Sequence, residues 1–392
     1  MPFYLKEFTV FNRRISFAAI FWFSLAIIAA IIQLKRGVAA YNNYLIFKGV
    51  FWHTIAQNNL YDYYNQEYFD VNHYGPFFSF VIAPFAMLPN VLGCFLWCFA
   101  NALFLFYSVR KLPVSHKNQN IILLIGALEM MTATHNTQFN PMLTSWIIFS
   151  YILVKEKKDF WATLFIAAGL FTKLYGIVGL AFFLFSENKI KFVWSFVFWC
   201  AILFCLPMLL SSPSFIIQSY KNWYFSLAEK NNSNQDSAMQ GMSVMRLLKK
   251  VFFIQNLKDM YVLGIAAILY LLPMLRIRQF KAKNFQLSYL AFLLIGLVIF
   301  SSSAESATFV IAMMGVGIWY ILQEEKKWWV ITLLVFALVL TSLSTTDFFP
   351  KFVKVEYVRP FGLKALPCFL IWLTISFQLL TKKFNEIKLV DE

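Results

Sequence analysis

HNTQFNP, residues 135–141, gathers His135, Asn136, Gln138 and Asn140 into one short polar break between two apolar runs. An amide or imidazole left unpaired in hydrocarbon costs several kcal/mol, so these groups face water, line a cavity or hold a polar ligand. Other stretches offer matching chemistry. Glu129 lies inside the apolar run 119–133, and an ionisable residue at membrane depth is a functional candidate by default. Lys173, in GLFTKLYG, is the sole cation between two apolar runs; it can snorkel to the surface or hold a phosphate as a point charge. Asp62, Glu67 and Asp70 precede His73 in the first polar stretch, and carboxylates beside an imidazole can serve proton transfer. The loop EKNNSNQDSAMQGMSVMRLL offers Asn234, Gln235 and other amides to sugar hydroxyls, Asp236 as a carboxylate, and Arg246 as a planar fork for phosphate. FSSSAESATF places Glu305 among serines. Each has a plainer reading as a solvated loop, a turn or a residue satisfied by neighbouring helices. What favours chemistry is that they occur together.

The elements that must position these residues are membrane helices. Of 392 residues, 60% are hydrophobic, 19% aromatic and 14% charged, a balance that indicates an all-α polytopic membrane protein and excludes a soluble multidomain one. Apolar runs at 15–33, 119–133, 141–154, 160–172, 174–186, 191–210, 259–275, 286–301, 306–322, 328–343 and 363–380, with the region 76–108, predict roughly 11–13 transmembrane helices in one integral membrane domain. The run 15–33 has no small-residue cleavage site behind it and reads as a retained span. The net charge of +15 comes from short basic clusters between runs, which act as orientation signals and argue against nucleic acid. The five cysteines show no metal-ligand spacing and read as small buried hydrophobes.

With the N-terminus cytoplasmic, those basic clusters all fall inside if 76–108 crosses the membrane a net once. Pro76, Pro84, Pro89 and Gly93 suit a broken helix followed by one full span there. The polar breaks 34–75, 134–140, the Thr172–Lys173 junction, 211–258, 302–305 and 344–362 then lie outside; two full crossings in 76–108 would instead scatter the basic clusters to the other side. In the first of these breaks Tyr44, Ile46, Phe47, Val50, Phe51 and Ile55 fall at helical spacing, predicting an amphipathic helix on the membrane surface. No P-loop, nucleophile elbow or Rossmann fingerprint is present.

The run NYLIF starting at Asn43, then NNLYDYY, HYGPFFSFVIAPFAMLP and an LW…N span, resembles the opening of glycosyltransferase family 87, the polyprenol-phosphate-mannose-dependent mannosyltransferases of the GT-C superfamily. NTQFNP resembles that family's Gln-x-Asn break, FTKLYG its Lys-x-x-Pro segment, and NQDSAMQGMSVMRLL its Asn-Gln-Ser…Arg loop; the resemblance runs from Asn43 to Gly317. It implies a GT-C-like bundle that takes a sugar, mannose in the family, from a polyprenyl-phosphate donor on the outer face of a bacterial inner membrane. The sugar passes with inversion to a lipid-linked or envelope glycan acceptor, with no metal or other cofactor. The resemblance assigns phosphate contacts to Lys173 and Arg246, and sugar or acceptor contacts to Asn136, Gln138, Asn140, Asn234 and Gln235; Asn43, His73 and His135 are further substrate-binding candidates. The family's first-loop Asp, its base, aligns with Asn43, and an amide cannot act as a general base. Another carboxylate must then serve, with Asp70, Glu129, Glu305 and Asp236 as the candidates, unless the alignment is shifted or catalysis is lost. A lipid or solute transporter and a non-catalytic glycolipid-binding relative remain as alternatives.

Overall fold

The computed structural model describes residues 6–10, 13–234, 241–251, 253–254 and 257–384. A short antiparallel hairpin, β1 (Glu7–Val10) and β2 (Arg13–Ser16), leads into the first helix. In chain order the helices are α1 (Phe17–Lys35), α2 (Asn42–Ala56), α3 (Phe78–Ala86), α4 (Asn90–Arg110), α5 (His116–His135), α6 (Asn140–Lys155), α7 (Asp159–Lys173), α8 (Lys189–Cys205) and α9 (Pro213–Asn234). They continue with α10 (Val244–Val251), α11 (Asp259–Leu271), α12 (Lys283–Ile299), α13 (Phe309–Ile321), α14 (Trp328–Phe336), α15 (Lys351–Val353), α16 (Arg359–Phe361) and α17 (Ala365–Thr381). The protein is thus an all-α polytopic membrane protein, 77% helical.

Each expected apolar run coincides with helix. By length and composition, α1, α4 and α8 extended to Leu209 can cross a membrane; Lys351–Phe361 with α17, bent by 50°, makes a fourth if taken as one span. The other helices fall short in length or in apolar composition, so length and composition together support fewer crossings than the 11–13 that the runs suggest. The outer faces carry the membrane signature. Ile190, Trp194 and Val197 of α8 are 73%, 69% and 51% exposed, a strip that only lipid can cover without cost.

Region 76–108 takes the expected broken form, the short α3 with Pro84 inside it followed by the full-length α4. The run 174–186 differs from an α-helix: Tyr175–Phe185 is a 3-10 helix. Its cause is close packing, because Gly176 lies on Gly169 of α7 so tightly that an added Cβ would come within 2.4 Å of the Gly169 backbone. The helix expected on the membrane surface exists as α2, but the face intended for lipid is covered by protein. Tyr44, Ile46, Phe47, Val50 and Phe51 are buried, and Phe47 packs edge-on against Tyr74, Phe78 and Trp97.

The chain forms two compact units. Unit A comprises Phe23–Leu112 and Ala133–Asn232; unit B comprises Met1–Trp22, Pro113–Thr132 and Ser233–Glu392. In unit A, α6 packs on α4 and α7, and α7 on α8. In unit B, α12 packs on α13 and α17. α13 is apolar on every side, as is α12 beyond Ser288, and both are largely buried, as a helix without a polar face must be.

Candidate functional site

Within unit A, the HYGPF turn is laid across the end of α7. Gly75 N–H donates to the Thr172 carbonyl at 3.0 Å, and a Cβ at Gly75 would lie 2.1 Å from the Phe171 carbonyl oxygen. Only glycine permits that approach. Lys173 is the last residue of α7, which Leu174 terminates in the left-handed region at φ 42°. The two terminations bring Lys173 Nζ 5.6 Å from the Tyr74 ring centroid and 5.2 Å from that of Tyr175. It donates to Asn140 Oδ1 at 2.8 Å, and Asn140, in the first turn of α6, is buried. The Asn140 amide and two aromatic faces thus take part in holding the ammonium.

The HNTQFNP break is equally fixed. Thr137 takes φ 47° at the end of α5, with Thr137 N–H donating to Thr134 O and Gln138 N–H to Ala133 O. Trp97 Nε1 donates to the Thr137 carbonyl at 2.9 Å, and Phe139 stacks on Trp97. Gln138 Oε1 accepts from the Tyr74 hydroxyl at 3.5 Å. His135 is half-buried and Asn136 exposed. Asn43 Nδ2 donates to the Asn136 carbonyl at 2.9 Å, while its neighbour Asn42 clamps Phe69, donating to its carbonyl and accepting from its N–H, both at 2.7 Å. Consecutive asparagines of α2 thus tie the break to the stretch bearing Asp70. Asp70 is exposed, has φ 74°, and accepts from Val71 N–H at 2.8 Å; a non-glycine residue in that region is uncommon and marks a constrained backbone.

The expected pairing of His73 with the acidic residues near it in sequence is corrected. Glu67 instead pairs with His53 at 3.1 Å, where Tyr64 stacks on the imidazole at 3.9 Å between centroids. Asp62 accepts from Asn59. His73 Nδ1 sits 3.0 Å from Ser226 Oγ on α9, and Trp223 Nε1 donates to the His73 carbonyl at 2.9 Å. Burial, with the charges of Lys230 and Lys173 adding to it, pushes the His73 pKa from 6.5 down to about 3. The imidazole is therefore neutral near pH 7 and a poor candidate for a cationic contact. The unfolded chain binds a proton near pH 6.5 and the folded one only near pH 3, so folding weakens as pH falls through that window, by at most about 1.4 kcal/mol per pH unit. Thermal unfolding at pH 6.5 and pH 4.5 is expected to show a loss in the wild type that His73→Gln reduces. An equal loss in both would remove His73 as its source.

Within unit B the candidate residues have other partners. Glu129 Oε1 lies 2.8 Å from Lys364 Nζ, and neither side chain is exposed. Lys364 also donates to the Ser306 carbonyl at 3.0 Å and hydroxyl at 2.9 Å, and lies 5.0 Å over the Phe309 ring. Glu305 caps the turn Ser306–Thr308 that opens α13: its carboxylate accepts from the Thr308 backbone, and its own N–H donates to Thr308 Oγ1 at 3.2 Å. Met242 N–H donates to the Ala304 carbonyl at 2.9 Å. Arg246 on α10 lays its stem near Gly362, whose φ is +64°, and burial lowers its pKa. Gln235 and Asp236 lie outside the described residues, as does the side chain of Asn234.

The family model of glycosyltransferase family 87 matches residues 72–303, more than half of the chain. The chain belongs to glycosyltransferase family 87. No curated protein matches it. As a family 87 glycosyltransferase it carries His73, Glu129, the HNTQFNP break, Lys173 and Arg246 inside the matched stretch, whereas Asn43 and Asp70 precede it and Glu305 and Lys364 follow it. Asn43, where the resemblance places the family's acidic residue, therefore lies outside the match. Tyr74, Tyr175, Lys230 and Lys364 are residues of this glycosyltransferase that the spacing of polar breaks did not single out. Tyr74 and Tyr175 flank Gly75 and Lys173 closely enough in sequence to have been found.

Proposed function

We propose that this glycosyltransferase moves a hexose, mannose by family analogy, from a polyprenyl-phosphate donor to a hydroxyl of a lipid-linked or envelope glycan. The active site in this reading is in unit A and faces the outer side of a bacterial inner membrane, with the N-terminus cytoplasmic. The observation that carries it is Lys173, an ammonium fixed by Asn140 between Tyr74 and Tyr175 at the end of an apolar helix. A preorganised cation stabilises the charge that develops on a leaving phosphate, and the charge of Lys230, which also bears on His73, adds to the same local potential. Gln138, Asn136 and His135 offer hydrogen bonds to sugar hydroxyls.

In the reaction the acceptor oxygen attacks the anomeric carbon from the face opposite the phosphate. The carbon–oxygen bond to the phosphate breaks, the bond to the acceptor forms with inversion, and the acceptor proton passes to a carboxylate. We assign that role to Asp70, which is exposed and anchored through Phe69 beside Asn43 and Asn136. Glu129 is enclosed by Lys364 and Glu305 is engaged in its cap, arrangements that suit structure better than proton transfer. In membranes supplied with labelled polyprenyl-phosphate-mannose, Asp70→Asn is expected to lower the transfer rate by about 10²–10⁴-fold, and Glu305→Gln to leave most of it. The opposite pattern would move the base to Glu305. Equal retention in both would withdraw the assignment of either.

A further inference from the structure

Asp70 has a φ of 74°, and a residue with a side chain keeps that conformation only where its surroundings fix it. Asp70 itself is exposed, so the constraint comes from the residues before it. Phe69 is clamped by Asn42, which donates to its carbonyl and accepts from its N–H. Tyr68 is buried, and its ring lies so close to Gly49 that a Cβ there would come within 2.7 Å of Cε1. The Tyr68 hydroxyl is 3.4 Å from His53 Nδ1. The other imidazole nitrogen, Nε2, is 3.1 Å from Glu67 Oε2, and Tyr64 covers the ring. Residues 67, 68 and 69 are thus each held by α2, at His53, Gly49 and Asn42. Gly49 and His53 follow Asn42 by about two and three helical turns, so the three share one face.

A stripe can position something only if its helix is itself fixed. On another face of α2 the Tyr44 hydroxyl, Trp52 Nε1 and Lys48 Nζ donate to the carbonyls of Phe85, Ala86 and Leu88 at 2.8, 3.3 and 3.0 Å. These bonds help satisfy the carbonyls freed where α3 ends, and Lys48 also donates to Asn90 Oδ1 at 2.8 Å at the start of α4. We propose that Gly49 and His53 are positioning residues for sugar transfer: through Tyr68 and Glu67 they hold the backbone that aims Asp70. Glycine inside a helix is unfavourable relative to alanine, and the place of the Tyr68 ring gives the reason for it here. His53 supplies two polar contacts, one for each of two successive residues, which an apolar side chain of the same size could not.

The inference rests on the reading of Asp70 as base, and two readouts keep the two apart. Full-length protein in liposomes is compared as wild type, Gly49→Ala, His53→Ala and His53→Gln, each also combined with Asp70→Asn. Hydrogen–deuterium exchange follows the backbone N–H groups of residues 67–71, among which Phe69 bonds Asn42 and Val71 bonds Asp70. Transfer from labelled polyprenyl-phosphate-mannose gives kcat and KM. Gly49→Ala and His53→Ala are expected to speed exchange at 67–71 by about tenfold or more and to lower kcat by about 10–10²-fold, with KM for the donor staying within about twofold. His53→Gln keeps a donor toward Glu67 and is expected to recover much of both. None of the three lowers the residual rate of Asp70→Asn further. Gly49→Ala separates positioning from folding, because alanine favours a helix; a glycine of structural use alone predicts a variant as active as wild type. Unchanged exchange at 67–71 overturns the proposal, and a slow Asp70→Asn then still leaves the base in place. A wild-type rate in Asp70→Asn overturns base and positioning together. A loss of kcat as large on the Asp70→Asn background as on the wild type puts the effect of the stripe elsewhere and also overturns it.

Discussion

Lys173→Ala is expected to lower sugar transfer by about 10²–10³-fold, with folding largely kept. The side chain touches Asn140, Tyr74 and Tyr175 at the end of a helix. What the substitution removes is the cation placed for the leaving phosphate. Lys173→Arg keeps the charge in a larger planar group that does not fit the Asn140 acceptor between two rings in the same way, and an intermediate rate is expected. Initial rates with a labelled polyprenyl-phosphate sugar, normalised to folded protein, give the comparison. If Lys173→Ala transferred sugar at the wild-type rate, the phosphate contact would have to lie elsewhere.

The second large effect concerns stability. Glu129→Gln leaves the Lys364 ammonium enclosed without its carboxylate, and Lys364→Met leaves Glu129 in the same position, since neither side chain is exposed. Breaking a buried pair from one side costs about 3–5 kcal/mol, whereas replacing both partners by groups of similar volume is often near neutral. Each single substitution is therefore expected to lower the unfolding midpoint sharply, and the Glu129→Gln/Lys364→Met double variant to recover most of the loss. Thermal unfolding in detergent measures all four proteins. A double variant as unstable as the two single losses added together would show that the residues do not act as a pair.

Helix positions were legible because lipid and a closed core both demand apolar runs, and α1, α4 and α8 coincide with them. Even the short α3 before α4 could be read from Pro84 and Pro89. The course of Tyr175–Phe185 could not, because hydropathy does not distinguish a 3-10 turn from an α-helical one; that choice was made by the contact of Gly176 with Gly169. Within the candidate site, Lys173 and Asn140 each stood out as polar residues among apolar ones, and they meet. Pairings across long stretches of chain were not legible. His73 was set beside the nearest carboxylates in sequence, yet its partner is Ser226 on α9. Lys364 was not singled out, because its carboxylate is on α5, far away in the sequence. Spacing along one segment says which residues share a face, and nothing about the helix that face will meet.

The central claim is sugar transfer from a lipid phosphate. Its most direct test is purified protein in liposomes containing polyprenyl-phosphate-[³H]mannose and extracted envelope lipids as acceptor. Label moving into a new glycolipid, with polyprenyl phosphate released in equal amount and both lost in Lys173→Ala, is the predicted result. Label that crosses the bilayer still attached to its carrier, with no polyprenyl phosphate released, would contradict it and identify a transporter.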